Sequence, residues 1–172
     1  MGETRRYAEV EVGEALPALP IELTTSLIVA GAVASQDYTP VHHDKKAAQA
    51  AGMQDVFMNI LTTNGLVSRF VTDWAGPNAR VTHLSVKLGT PNLPGDTMTL
   101  TGAVSEKDDA AEAVVVDVAA ATLAAARRLD GPSAGFAFEG IQRRPAYKFP
   151  AKHSPAVRRR ARRRGRLLLR PL

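Results

Sequence analysis

The chain has 172 residues, of which 45% are hydrophobic, and it contains no cysteine. Its length suits one domain of ordinary size, and the apolar fraction is sufficient for a buried core. The lack of cysteine excludes disulfide bonds, thiolate zinc sites and cysteine nucleophiles. Because the sequence has no apolar leader and no membrane-length apolar run, we expect a cytoplasmic protein without a membrane span.

The formal net charge of +5 is distributed unevenly along the chain. All 17 acidic residues precede residue 140, whereas 12 of the 22 lysine and arginine residues follow it. We therefore predict a domain at residues 8–128 and a basic, Arg/Pro/Ala-rich tail at residues 129–172 that is largely disordered, because its like charges repel. A lineage-specific extension, or a reading frame that departs from the ancestral one near Ala121, would each explain this change of composition.

The first part of the chain predicts short extended segments separated by prolines. Tyr7–Val12 has the pattern of a short edge strand. Leu16–Pro20 contains two prolines and is typical of a connector. Ile21–Thr24 alternates between apolar and polar residues and predicts a further strand.

Two short helices are predicted on either side of a polar loop. The first covers Leu27–Ser35, with Thr24 or Ser26 as its N-cap. The second covers Lys45–Ala51 and ends at Gly52, a residue suited to a C-cap. The loop between the two helices is the most polar stretch of the chain, and it is the first place to look for function.

Val56–Trp74 has the strongest helical periodicity in the sequence. Apolar residues recur there at spacings of three and four, which predicts a broad apolar face. The helix is expected to end at Gly76–Asn78. Gly65 lies inside it, and we interpret this glycine as a position where another backbone comes close.

After this helix the hydrophobic period changes to two. Val81–Leu88, Thr97–Val104 and Ala113–Val118 each have the character of a strand. One long helix followed by consecutive strands favours an α+β fold over a parallel βαβ fold. We predict an antiparallel sheet that curls around the central helix.

Asp37 and His42 are candidate catalytic residues on chemical grounds. They are five residues apart in the polar loop, where Pro40 biases Thr39 away from helical geometry. A carboxylate and an imidazole that point into one cleft can take and give protons near neutral pH. The spacing alone favours the simpler explanation, a loop aspartate that serves as a turn or cap residue.

The stretch Ala34–Asp44 resembles the hydratase motif of the MaoC-like (R)-specific enoyl-CoA hydratases, a branch of the hot-dog fold. That motif runs approximately Ser-x-Asp-x-Asn-Pro-aliphatic-His-x-Asp, and Thr39 stands here in place of the asparagine. The order of predicted elements over about residues 8–125 is also similar to that of the family. The resemblance implies a hot-dog domain, in which an antiparallel sheet wraps a long central helix.

Further segments resemble a narrower group, the small subunits of actinobacterial steroid side-chain enoyl-CoA hydratases. These segments are Val41–Asp44, Asp55–Thr62, Gly65–Val67 and Val71–Pro77. The resemblance implies addition of water across an α,β-unsaturated steroidal acyl-CoA, with the CoA thioester as substrate and no cofactor. It also implies a larger MaoC-like partner chain in a heterodimer or heterotetramer, or otherwise a homodimer.

The same resemblance assigns roles to individual residues. Asp37 and His42 become an acid–base pair that binds a water between them, although the sequence leaves open which of them handles which proton. A backbone N–H at Ile60 becomes the donor to the thioester oxygen, at a position where the family has a His-Gly pair. The substrate-binding residues implied in this way are Thr39, Asn59, Ile60 and Ser68.

The other polar residues favour ordinary roles. We predict His43 on the surface, Asp44 as the N-cap of the second helix, and His83 on a face of the sheet. Arg80 and Lys87 are candidates for contact with CoA. No spacing of histidine and acidic residues indicates a metal site, and the acidic core argues against nucleic-acid binding.

Two alternatives to the hydratase remain open. A hydroxyacyl dehydratase of fatty-acyl metabolism would share the fold and the pair of Asp37 and His42. A non-catalytic hot-dog subunit of a heteromeric complex is the other alternative. It is favoured by the differences from the family at Thr39 and at Asn59–Ile60.

Overall fold

The computed structural model describes residues 4–122 and the backbone of residues 135–143. Within these ranges the helices are α1 (Thr25–Ala34), α2 (Lys45–Ala50) and α3 (Ile60–Ala75). The strands are β1 (Ala15–Leu23), β2 (Ala79–Val81), β3 (Asp96–Asp108), β4 (Ala113–Thr122) and β5 (Gly135–Arg143). Two short 3₁₀ turns cover Tyr7–Glu9 and Pro40–His42. None of the described helices has both the length and the apolar content needed to cross a bilayer.

The strands form one antiparallel sheet in the order β1-β3-β4-β5-β2. The central hairpin of β3 and β4 pairs Met98 with Thr122 at one end and Asp108 with Ala113 at the other. The strand predictions Thr97–Val104 and Ala113–Val118 are confirmed, and both strands extend beyond their predicted ends. The predicted α+β fold, an antiparallel sheet around a long helix, is confirmed.

The apolar face of α3 forms the centre of the core. Val67, Phe70 and Val71 are buried in one cluster with apolar residues of the sheet. Gly102 on β3 leaves space for this packing, since a Cβ there would lie 3.1 Å from the ring of Phe70. The face that the periodicity of the sequence indicates is therefore the face that the sheet covers.

The N-terminal segments differ from their predicted structure. Tyr7–Glu9 forms a 3₁₀ turn, not a strand. The predicted connector Leu16–Pro20 lies inside β1, and the pairing register shifts between Leu16 and Leu19. The prolines are accommodated because β1 is an outer strand of the sheet and is irregular at this point.

Two other boundaries also differ from prediction. The helix predicted from Val56 begins at Ile60, because the side chain of Asn59 caps it. The strand predicted over Val81–Leu88 is present only as β2, since pairing with β5 stops at the Val81–Ile141 pair. Alternation of apolar residues does not form a strand where no ladder partner is present.

Strand β5 lies within the segment that the sequence assigns to the basic tail. Its backbone pairs with β4 and with β2, so it joins the short outer strand to the rest of the sheet. The boundary at residue 128 stays a prediction. The other residues of the predicted tail, and the Ala121 composition change beyond Thr122, lie outside the described part of the chain.

Helices α1 and α3 approach each other most closely at Gly31. A Cβ on Gly31 would lie 2.3 Å from the hydroxyl oxygen of Thr62, far inside van der Waals contact. Among the described residues the expectation of a close approach at Gly65 is wrong, because none of them lies within 4 Å of a Cβ placed there. Gly31 of α1, and not Gly65 of α3, is therefore the glycine that permits close packing between these two helices.

We expect Gly31→Ala to lower the free energy of unfolding by about 1–3 kcal/mol, because the added methyl group displaces Thr62. Gly65→Ala is the matched control, since it adds the same methyl group to a helix at an open position. It is expected to raise stability by about 1 kcal/mol through helix propensity. Urea unfolding of the full chain followed by circular dichroism measures both, and equal effects of the two substitutions would contradict the packing at Gly31.

Candidate active site

The end of α1 directs Asp37 away from the helix. The N–H of Asp37 donates to the carbonyl of Ala32, and the N–H of Gln36 donates to the carbonyl of Val33. These are the two bonds of a Schellman motif, with Gln36 in the left-handed region at φ 57°. Glycine is usual at this position, and a residue with a side chain costs about 1–2 kcal/mol there. Backbone strain thus sets the direction in which the chain leaves α1.

The carboxylate of Asp37 is held at both of its oxygens. Oδ1 accepts hydrogen bonds from the hydroxyl of Thr39 at 2.7 Å and from its backbone N–H at 3.3 Å. Oδ2 accepts a hydrogen bond from the side-chain amide of Asn59 at 2.9 Å. The same Oδ2 lies 3.2 Å from Nε2 of His42. The structure thus brings the two predicted catalytic residues together.

The ring of His42 is buried, with 7% of the residue exposed, and it is fixed from behind. Its Nδ1 lies 2.7 Å from the backbone carbonyl of Phe57, and the edge of the ring faces the Phe57 ring with centroids 4.8 Å apart. A carbonyl oxygen only accepts hydrogen bonds, so Nδ1 carries a hydrogen. Nε2 is therefore the nitrogen that exchanges protons, and it faces Asp37.

The hydrogen bonds around Asp37 stabilise its charged form. The hydroxyl of Thr39, followed by the amide of Asn59, lowers the pKa of Asp37 from 3.8 to about 2, and partial burial opposes this shift. The N–H of Thr39 and the charge of His42 contribute in the same direction. Asp37 is consequently an anionic acceptor at neutral pH. A water that contacts both groups must lie beside the pair, not between them, because Nε2 and Oδ2 are 3.2 Å apart.

Asn59 and Ile60 form the start of α3 next to this pair. The side-chain oxygen of Asn59 accepts a hydrogen bond from the N–H of Thr62 and caps the helix. Ile60 is the first helical residue, and its N–H has no acceptor within the helix because of its position. The partial positive charge of this helix end stabilises a nearby anion. Ile60 thus keeps the backbone donor that the sequence predicts.

The remaining predicted residues lie around or away from this pair. Ser68 follows Asn59 by about 13 Å along the axis of α3, and its hydroxyl forms no hydrogen bond with Asp37 or His42. His43 is exposed, with Nε2 3.2 Å from the carbonyl of Tyr38, and Asp44 caps α2 through its carboxylate. The predictions for His43 and Asp44 are confirmed.

The candidate CoA-binding residues Arg80 and Lys87 are both exposed. His83 is also exposed, and it lies beyond the end of β2, so its predicted place on a strand is wrong. Among the described residues, no group of three or more histidine, aspartate and glutamate side chains is arranged to hold a metal ion.

Exposed apolar side chains flank the Asp37–His42 pair. Val33 precedes the loop, Tyr38 follows Asp37, and Ile60 and Leu61 follow Asn59. We name these four residues the apolar rim. Two cavities of the described residues lie elsewhere, one of about 30 Å³ beside Trp74 and an open one at Glu9–Glu14. These four exposed residues adjoin, in the sequence, the segments that carry the pair.

Sequence reasoning missed two contributors to this site. The carbonyl of Phe57 fixes His42, but a backbone group in an irregular segment leaves no residue-type signal. Ser35 accepts a hydrogen bond from the amide of Asn59 at 2.9 Å. The serine in the hydratase-like motif was a signal for Ser35, although it carried no assigned role.

Replacing Thr39 with valine keeps the shape of the side chain and removes its hydroxyl donor. We expect the pKa of Asp37 in Thr39→Val to rise from about 2 towards 3.8, because the largest stabilising contact is lost. The titration of the Asp37 carboxyl carbon by NMR measures this shift. Thr39→Ser is the control, since it keeps the hydroxyl and should keep the low pKa.

The sign of the linked stability change follows from the lowered pKa. The wild-type carboxylate contributes stability above pH 3.8, and this contribution is lost as pH falls towards 2. In Thr39→Val the pKa of Asp37 lies closer to 3.8, so the carboxylate should contribute less stability and lose it over a narrower pH range. An unchanged titration of Asp37 in Thr39→Val would show that the hydroxyl does not hold the carboxylate.

Comparisons with known proteins agree with this fold. The model of the MaoC like domain family matches residues 8–126. The beta subunit of 3-oxo-4,17-pregnadiene-20-carboxyl-CoA hydratase from Mycobacterium tuberculosis is 45% identical over 98 residues, which are 57% of this chain and 76% of that subunit.

Solved structures give the same result. A chain of the ChsH1–ChsH2 complex from Mycobacterium tuberculosis superposes with a TM-score of 0.70 at 36% identity, covering 78% of this chain and 98% of that one. The (R)-hydratase PhaJ1 from Pseudomonas aeruginosa has a TM-score of 0.69 at 19% identity, covering 87% of this chain and 96% of its own, and supports the fold alone. This chain, an α+β hot-dog domain with a paired carboxylate and imidazole, belongs to the family of MaoC-like domains.

Proposed function

We propose that this chain is a catalytic subunit of an enoyl-CoA hydratase, which adds water across the double bond of an α,β-unsaturated acyl-CoA. The observation that carries the proposal is the approach of Nε2 of His42 to within 3.2 Å of Oδ2 of Asp37. Hydration needs one group to take a proton from water and one to give a proton to the α-carbon. An anionic carboxylate and an imidazole with one exchanging nitrogen meet both needs.

In this mechanism a water lies beside the pair and hydrogen-bonds to both groups. Its oxygen attacks the β-carbon while one of its protons passes to the pair, and the pair returns a proton to the α-carbon. Asp37 and His42 share the proton between these steps and end in their starting state, so the reaction consumes only water and the double bond.

The thioester oxygen gains negative charge as the water attacks. We propose that the N–H of Ile60 donates to this oxygen, because it is the first N–H of α3 and follows directly after Asn59. The direction of the helix dipole adds to this stabilisation. The side chain of Ile60 contributes to the apolar rim and leaves its backbone group to bind the polar atom.

We propose a steroid side-chain CoA thioester as the substrate. The beta subunit that is 45% identical to this chain takes its name from 3-oxo-4,17-pregnadiene-20-carboxyl-CoA. Val33, Tyr38, Ile60 and Leu61 of the apolar rim are exposed, and we propose that they contact the apolar acyl group. Exposed Arg80 and Lys87 stay candidates for contact with the CoA phosphates.

We propose further that the active form contains a larger MaoC-like partner chain. The similar beta subunit belongs to a hydratase with more than one kind of subunit, and the similar structure is a complex of two named chains. The four residues of the apolar rim are exposed in the single chain. A second chain that covers the rim would exclude water from the acyl group.

Asp37→Asn and His42→Ala should each reduce kcat for hydration by about 10²–10⁴-fold, because each removes one proton-transferring group. The measurement uses the full chain co-purified with its partner and follows the loss of enoyl-thioester absorbance with 3-oxo-4,17-pregnadiene-20-carboxyl-CoA. His43→Ala is the matched control, since His43 is the exposed neighbour and should leave the rate unchanged.

The outcomes of this assay separate the alternatives. Undiminished hydration by Asp37→Asn and His42→Ala complexes would overturn the catalytic assignment and favour a non-catalytic subunit. Efficient hydration of crotonyl-CoA by this chain without a partner would favour the fatty-acyl dehydratase over the steroid hydratase.

The partner is tested by substitution in the apolar rim. Leu61→Lys adds a charge to the exposed start of α3 and should weaken assembly with the partner chain, as measured by size-exclusion chromatography with light scattering. Leu88→Lys is the control, because Leu88 is similarly exposed and is not part of the rim. Equal assembly of both variants and wild type would contradict a partner that covers the rim.

A further inference from the structure

Asn59 is a buried polar residue with every side-chain group engaged. It is 3% exposed. Its Oδ1 accepts the N–H of Thr62 at 2.9 Å, and its Nδ2 lies 2.9 Å from Oγ of Ser35 and 2.9 Å from Oδ2 of Asp37. The amide has two hydrogens and both have acceptors, so no hydrogen of its side chain is left for a substrate.

The orientation of this amide is fixed by chemistry. The N–H of Thr62 can only donate, so it requires the oxygen of Asn59 on its side. The carboxylate of Asp37 can only accept, so it requires the nitrogen. In a flipped amide, Nδ2 of Asn59 would face the N–H of Thr62, donor against donor. Its Oδ1 would face the carboxylate of Asp37, acceptor against acceptor.

We propose that Asn59 is the positioning residue of this site, holding Oδ2 of Asp37 against Nε2 of His42 through the same side chain that caps α3. This inference rests on the proposed acid–base role of Asp37 and His42. It replaces the expected contact of Asn59 with substrate by a contact with the carboxylate.

The double contact of Asn59 has a geometric consequence. One side chain joins the carboxylate to the helix end whose first N–H belongs to Ile60. The proton-transferring group and the proposed donor to the thioester oxygen are thereby held at a fixed separation. Ser35 completes the support, since its hydroxyl accepts from Asn59 and donates to the carbonyl of Gly31 at 2.8 Å. The end of α1 and the start of α3 therefore share one hydrogen-bond chain.

A purely structural role as a helix cap is the competing explanation for Asn59. Serine and aspartate cap helices about as well as asparagine does. Neither of them carries the amide donor that Asp37 receives. Asn59→Ser and Asn59→Asp therefore keep a capping oxygen and remove the amide donor to the carboxylate, which separates the two roles.

Asn59→Asp makes the stronger change at Asp37. A second carboxylate would face Oδ2, and two carboxylates that share a site cannot both ionise easily, so the pKa of the pair rises. His42 is the titratable group whose charge acts on Asp37 among the described residues, and it is present in both variants. The titration change in Asn59→Ser therefore reports the loss of the amide, whereas the change in Asn59→Asp reports this loss together with the added charge.

The direct test is an NMR titration of the Asp37 carboxyl carbon in the full chain. The pKa of Asp37 should rise in Asn59→Ser, and rise further by about one unit or more in Asn59→Asp. Asn78→Asp is the matched control, because it makes the same charge change at an exposed asparagine beyond the other end of α3. An Asp37 titration that is the same in wild type, Asn59→Ser and Asn59→Asp would overturn the inference.

Kinetics of the complex with its partner give a second measurement. In Asn59→Ser, kcat should fall by up to about 100-fold, with little change in KM, because the carboxylate is misplaced and substrate contacts are kept. In Asn59→Asp the acid limb of the kcat/KM profile should move to higher pH. A rise in KM at unchanged kcat would instead assign Asn59 to substrate binding and overturn the positioning role.

Different results would overturn the acid–base role of Asp37 and His42 and the positioning role of Asn59. If Asp37→Asn retains full activity, the acid–base assignment fails whatever Asn59 does. If Asp37→Asn is inactive while Asn59→Ser matches wild type in both titration and kcat, the assignment stands and the positioning role of Asn59 is overturned.

Discussion

The carboxylate of Asp37 is the point at which three segments of this chain meet. Thr39 from its own loop binds one oxygen, and Asn59 from the start of α3 binds the other. His42, held by the carbonyl of Phe57, faces the second oxygen. The hydrogen bonds from Thr39 and Asn59 stabilise the charged form of this partly exposed carboxylate, so it remains anionic at neutral pH.

Two features of the backbone support this carboxylate: a strained residue at Gln36 and close packing at Gly31. Gln36 occupies a left-handed backbone conformation so that α1 can end and Asp37 can turn towards α3. Gly31 allows α1 and α3 to approach closely enough for Ser35 to reach Asn59. The stability lost at Gln36 is offset by hydrogen bonds that form only if the turn is made, as is common for strained residues at functional sites.

The sequence predicts those parts of the molecule that depend on residue type and period. The resemblance of Ala34–Asp44 to the hydratase motif indicates the reactive pair, and the apolar period of α3 indicates its buried face. Details that depend on contacts distant in sequence are not predicted. The close approach at Gly31 requires knowledge of where Thr62 lies, and the carbonyl of Phe57 has no side-chain signature at all.

The prolines of β1 are a second case in which local sequence does not predict a structure that depends on distant contacts. Locally they indicate a connector, yet an outer strand tolerates residues that lack an N–H, and only the strand order reveals that β1 is an outer strand. The predicted start of α3 fails for a related reason. Val56 and Met58 are buried like helical core residues, but Asn59 begins the helix after them.

The position of Pro17 and Pro20 on β1 also determines how this sheet behaves towards other chains. An incoming extended segment needs a continuous row of donors and acceptors as a template, and these two residues interrupt the row of donors. The register shift between Leu16 and Leu19 bends the same border. Addition of a further strand at this margin of the sheet is thus disfavoured.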